Sequence, residues 1–100
     1  MRDYIFLMHN DVPGGSARPS HEWSAYFAAL VRADAFQGGS AIGDGVCMAK
    51  SGANRPTTNH LTGYIRVRAA DLDAARALLI GNPVYEAGGT VEIRELPTSD

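Results

Sequence analysis

The chain reads as two β–α–β halves of similar length, and that pattern limits what it can fold into. The first half runs from Tyr4-Ile-Phe-Leu-Met-His through a helical stretch to Phe36-Gln-Gly-Gly-Ser-Ala-Ile. The second runs from Leu61-Thr-Gly-Tyr-Ile-Arg-Val through a helix to Thr90-Val-Glu-Ile-Arg-Glu-Leu. Two such halves in 100 residues predict a single α+β domain over residues 1–100, of the split β–α–β kind. Its sheet should be antiparallel, with both helices on one face.

Local signals place the elements. In the first strand Ile5 and Leu7 alternate with Tyr4, Phe6 and Met8, and both sets are apolar, so a central strand covered on both faces is expected. Asn10 to Pro19 reads as a loop. Ser20 is a suitable N-cap for the first helix, with Glu22 in its first turn. Trp23, Tyr26, Phe27, Leu30 and Val31 form the apolar stripe of that helix, which should end near Ala35. A strand follows from Phe36 to Ile42. Asp44-Gly45 has the chemistry of a two-residue hairpin turn, with Val46 to Ala49 as the return strand. Ser51 to Asn59 reads as a mobile loop. The third strand alternates Leu61, Gly63, Ile65 and Val67 with Thr62, Tyr64, Arg66 and Arg68. The second helix starts at Ala70 or Asp71, buries Leu72, Ala75, Leu78 and Leu79, and stops at Gly81-Asn82-Pro83.

If both helices lie on one face, the other face of the sheet is open. Either Tyr4, Phe6 and Met8 or Ile5 and Leu7 must lie there, and a monomer would leave them wet. Face-to-face packing of two sheets in a homodimer is therefore expected.

Composition narrows the functional classes. Net charge is −2 with no basic cluster, so nucleic-acid binding is not expected. No apolar run approaches the ~20 residues of a membrane span. Met1-Arg-Asp-Tyr passes straight into a strand pattern without a signal peptide, so a cytoplasmic location is expected. The single cysteine, Cys47, has no partner for an internal disulfide, and its apolar neighbours suggest a buried, inert thiol.

Three histidines could carry chemistry. His21 stands in the first turn of the first helix, where the helix dipole favours neutral imidazole, a base that titrates near working pH. His9 ends the first strand and could line the same pocket, whereas His60 reads as solvated. The three lie in different elements without metal-ligand spacing, so no metal is expected. Gly14-Gly15, Gly38-Gly39 and Gly88-Gly89 match no phosphate-binding pattern and read as turns. Trp23 and Tyr26 fit the core and could also wall a cleft between helix and sheet. Arg66 and Arg68 could fix a carboxylate ligand or pair with acids on the last strand.

Several stretches together resemble the YCII-related family, including its DGPF-domain branch. They are Tyr4-Ile-Phe-Leu-Met, Arg18-Pro19-Ser20-His21, Phe36-Gln-Gly-Gly, Leu61-Thr-Gly-Tyr-Ile, Asp71-Leu-Asp-Ala-Ala-Arg, Asn82-Pro83, and Val91-Glu-Ile-Arg-Glu-Leu-Pro after Gly88. The resemblance covers nearly the whole chain. It implies a ferredoxin-like fold that dimerises as an α+β barrel, with a pocket histidine at the start of the first helix, matched by His21. It also implies proton-transfer chemistry of the lactone-isomerase or dehydrochlorinase type. Two positions depart from the family pattern. Ser51-Gly52-Ala53-Asn54 stands in place of Asp-Gly-Pro-Phe, and Asn82-Pro83 in place of Asp-Pro. The resemblance also implies, for some members, an aspartate paired with the histidine; neither departing stretch supplies it here, which leaves Asp11, Asp34 and Asp44 as conjectural substitutes.

Three functional readings follow. In the first, His21 is the general acid or base of a small enzyme; His9, Trp23 and Tyr26 line its pocket and Arg66 holds an anion. No cofactor is called for. In the second, the chain is a non-catalytic ligand-binding dimer or an accessory protein. The third, a cofactor-free monooxygenase or haem-handling protein, rests on fold analogy alone.

Overall fold

The computed structural model describes residues 1–15, 17–52 and 55–98. Its elements, in chain order, are strand β1 (Arg2–His9), helix α1 (Ser20–Arg32), strands β2 (Phe36–Ala41) and β3 (Leu61–Ala69), helices α2 (Leu72–Ala77) and α3 (Pro83–Glu86), and strand β4 (Val91–Leu96). The four strands make one antiparallel sheet in the order β2-β3-β1-β4. Each half is thus a split β–α–β unit, with a strand of the other half inserted between its two strands. This is the ferredoxin-like α+β arrangement.

Strand periodicity sorts the two faces. Tyr4, Phe6 and Met8 on β1 and Ile65 and Val67 on β3 are buried. They pack with Tyr26 and Leu30 of α1, Ala75 of α2, Leu79 and Val84. The helices cover this face, where burying each large apolar side chain stabilises the fold by about 1.5–3 kcal/mol. Ile5 and Leu7 point to the opposite face and are only half-buried. Of the two alternatives for the open face, the structure selects Ile5 and Leu7, and β1 is central but covered by helices on one face only.

Helix termini account for most departures from the sequence reading. Pro19, not Ser20, occupies the N-cap of α1, and no side chain caps it. The helix stops at Arg32 rather than near Ala35. Asp34 adopts φ 56°; its N–H donates to the Val31 carbonyl at 2.9 Å and the Ala35 N–H to the Leu30 carbonyl at 3.0 Å. This is a Schellman closure with aspartate in the left-handed position. Val31 comes out on the solvent side and is 61% exposed. Leu72, at the first position of α2, is also exposed.

Asp71 caps α2 by accepting the Ala74 N–H at 2.8 Å. The stretch after α2 does not simply terminate. Asn82 caps α3, with Pro83 at its first position, where a missing N–H costs nothing.

The loop between β2 and β3 holds the other corrections. Val46 to Ala49 is not a return strand: the β2–β3 ladder continues only as far as the Ile42 N–H bond to Thr62. Beyond it, Cys47 and Arg55 form one isolated bridge, and the apolar runs flanking Asp44-Gly45 are too short to pair. Val46 and Met48 are exposed, and so is Cys47, contrary to the buried thiol expected. Ala53 and Asn54, within the expected mobile loop, lie outside the described residues.

Gly38-Gly39 is no turn but part of β2. Gly38 sits at a β-bulge opposite Arg66 with φ 129°, a conformation that glycine adopts without strain.

Candidate functional site

A cavity of about 380 Å³ opens between α1 and the β2–β3 half of the sheet. Its size falls within the usual range for small-ligand pockets. Its wall is aromatic. Trp23 and Phe27, one helical turn apart on α1, lie with ring centroids 5.8 Å apart and planes 26° apart, and both line it. Phe27 continues the aromatic row to Phe36 at 5.3 Å. Met8, Ile65 and Val84 add apolar surface.

The floor is strand backbone with small residues. Gly39, Ala41 and Gly63 lie where β2 and β3 present their helix-facing positions to the cavity. A Cβ at Gly39 would stand 2.7 Å from the Tyr64 carbonyl oxygen, and one at Gly63 would stand 3.1 Å from that of Ser40. Glycine inside a strand costs stability and often marks a close approach; here the neighbouring strand and the Met8 and Ile65 side chains crowd the two positions, which add only backbone to the cavity floor.

Arg18, in the loop leading into α1, is the one charged residue lining this cavity among the described residues. Its Nε lies 3.5 Å from Glu22 Oε1, yet it is buried and completes no hydrogen bond.

A second concavity, of about 490 Å³, lies on the outer side of the same corner. It is lined by Arg18, His21, Glu22, Glu86 and residues around Gly81 and Pro83. His21 is exposed there. Glu86 is engaged, its Oε2 accepting the Gly81 N–H at 2.8 Å. Nothing in this concavity excludes water from the imidazole.

The five residues singled out in the sequence therefore do not share one pocket. Trp23 lines the apolar cavity and His21 the outer concavity. Tyr26 is buried in the core, where its hydroxyl donates to the Leu78 carbonyl at 2.7 Å. Burial pushes this phenol up to about 12, partly offset by the neighbouring Asn82 amide. Asn82 Nδ2 is itself buried and completes no hydrogen bond.

His9 and Arg66 belong to the edge and the open face of the sheet. His9 Nε2 lies 3.3 Å from Glu92 Oε1, and its ring meets that of His60 edge-on, centroids 4.9 Å apart. Glu92 is held below the usual carboxylate range, chiefly by the Arg94 hydrogen bond and then by His9. Arg66 donates from Nη2 to the Gln37 carbonyl at 2.8 Å, and Arg68 pairs with Asp3 at 3.2 Å. Neither arginine pairs with an acid of β4. Among the described residues, no group of three or more His, Cys, Asp or Glu could hold a metal, and no helix is long and apolar enough to cross a membrane.

Arg18, Phe27, Gly39 and Gly63 were not singled out as ligand-lining by sequence reasoning. The two strand glycines were the available signal. No family model matches the chain, and no curated protein does either.

Proposed function

We propose that this chain is a small-molecule-binding homodimer, YCII-like in kind, whose ligand occupies the cavity between α1 and the β2–β3 half of the sheet. One observation carries the reading: an apolar cavity of ligand size, walled by Trp23 and Phe27 and floored by the strand residues Gly39, Ala41 and Gly63. The dimer belongs to the same proposal. Ile5 and Leu7 form an apolar centre on the open face, while the charges around them are already paired as Arg68–Asp3 and Arg94–Glu92. A cytoplasmic location fits one exposed, unpaired thiol at Cys47.

A thermal-shift screen of small aromatic and alicyclic compounds tests the binding reading. A ligand at 100 times its dissociation constant adds about 2.7 kcal/mol of stability. Ala41 is exposed at the mouth of the cavity, so Ala41→Leu should fill the mouth without disturbing the core. Shifts in wild type that vanish in Ala41→Leu are the expected result. Equal shifts in both proteins would place binding elsewhere.

One observation favours a catalytic version. Arg18 borders both the cavity and the concavity holding His21. A ligand anchored at Arg18 would therefore reach toward the imidazole, which could exchange a proton with it as general acid or base, as in lactone isomerisation or dehydrochlorination. Turnover lost in His21→Ala with ligand affinity retained is the result this version requires.

A further inference from the structure

We infer that the ligand of this cavity is a planar aromatic carboxylate, its ring on the Gly39–Gly63 floor beside Trp23 and Phe27 and its carboxylate on Arg18. The inference rests on the binding reading above and adds the chemical class.

The charge follows from Arg18. A guanidinium drawn into an apolar wall costs free energy unless its donors are paired. The side chain of Arg18 is 25% exposed. Glu22 stands near it from the outer concavity, but at 3.5 Å it leaves the buried Nε without a hydrogen bond. A neutral ligand would bury this group further with only the Glu22 ion pair to offset it and with Nε still lacking a hydrogen bond, and a cation would be repelled. A carboxylate matches the planar donor fork. Glu22 also offsets part of the positive field, which favours a monoanion over a phosphate dianion.

The ring follows from the floor and the wall. The floor is strand backbone at Gly39 and Gly63, with the Ile65 side chain packed beside the first and the Met8 methyl beside the second. The wall is a pair of nearly parallel rings. Flat apolar surface of this kind is best covered by another ring, since offset or edge-on aromatic contacts add about 0.5–1.5 kcal/mol to area burial.

Calorimetric titration of wild type, Arg18→Met and Arg18→Lys with 1-naphthoate, 1-naphthamide, 1-naphthyl phosphate and octanoate tests this. Methionine keeps the apolar stem of Arg18 without its charge, and lysine keeps the charge without the fork. In wild type, naphthoate should bind at least tenfold more tightly than each of the other three. Arg18→Met should bring acid and amide to within threefold of each other, with Arg18→Lys in between. Equal affinity for acid and amide in wild type would overturn the carboxylate while leaving the cavity as a binding site. Tighter binding of the phosphate would likewise overturn it, and tighter binding of octanoate would overturn the ring. Failure of all four to bind wild type would overturn this inference together with the binding reading.

Discussion

The Tyr26 hydroxyl donates to the Leu78 carbonyl across 2.7 Å, tying the middle of α1 to the turn that follows α2. Both ends of the bond are embedded where the two halves of the fold meet. Tyr26→Phe should cost about 1 kcal/mol, the typical net value of such a bond. The phenol also gives the fold an alkaline limit. Its folded pKa, about 12, lies above the ordinary 10.0, so its contribution is complete below pH 10 and lost as pH rises through 12. An ultraviolet titration should show one tyrosine ionising near 12, absent in Tyr26→Phe.

Asp34 closes α1 at φ 56°, where an L side chain is strained and glycine is not. Asp34→Gly should raise stability by about 0.5–1 kcal/mol in urea unfolding, after allowing for the greater entropy of glycine in the unfolded chain. Asp34→Val should lower it. Destabilisation by glycine would mean that the aspartate side chain makes a contact worth more than the backbone strain.

Asp11 links the loop after β1 to the approach to β4. It accepts the Thr90 N–H at 2.8 Å and the Thr90 hydroxyl at 2.5 Å, and these bonds hold its carboxyl below its ordinary 3.8. A depressed folded pKa gives stability that is present above the ordinary value and lost as pH falls through the folded one. Chemical unfolding of Asp11→Asn between pH 5 and about 2 should therefore show a shallower loss of stability than wild type. Parallel curves would show that the pair contributes nothing.

The fold was legible in the sequence because strand alternation and helix punctuation agreed. Tyr4-Phe6-Met8 against Ile5-Leu7, and Ile65-Val67 against Arg66-Arg68, sorted the sheet faces. The ends of elements were less legible, since Asp34 took a position where glycine is usual and Asn82-Pro83 starts a helix as readily as it stops one. The site was least legible, for a geometric reason. His21 and Trp23 are two residues apart on one helix, which turns their side chains to different sides. The cavity floor includes Gly39 and Gly63, but Gly38-Gly39 has the composition of a turn.

The open sheet face carries a prediction of its own. Leu7 stands between Tyr64 and Glu92 on that face. Light scattering at micromolar concentration should give wild type twice the 10.7 kDa chain mass. Leu7→Lys should give a folded monomer, because dimerisation through this face would bury an unpaired ammonium. A wild-type mass of 10.7 kDa would refute the dimer.

Amide chemical-shift mapping of the wild-type protein during titration with 1-naphthoate tests ligand binding between helix and sheet most directly. The shifts should saturate and concentrate at the Trp23 indole, Phe27, Gly39, Ala41, Gly63 and Ile65, with Arg18 at their edge. Shifts centred on His21 and Glu86, or on Ile5 and Leu7, or none at all, would contradict it.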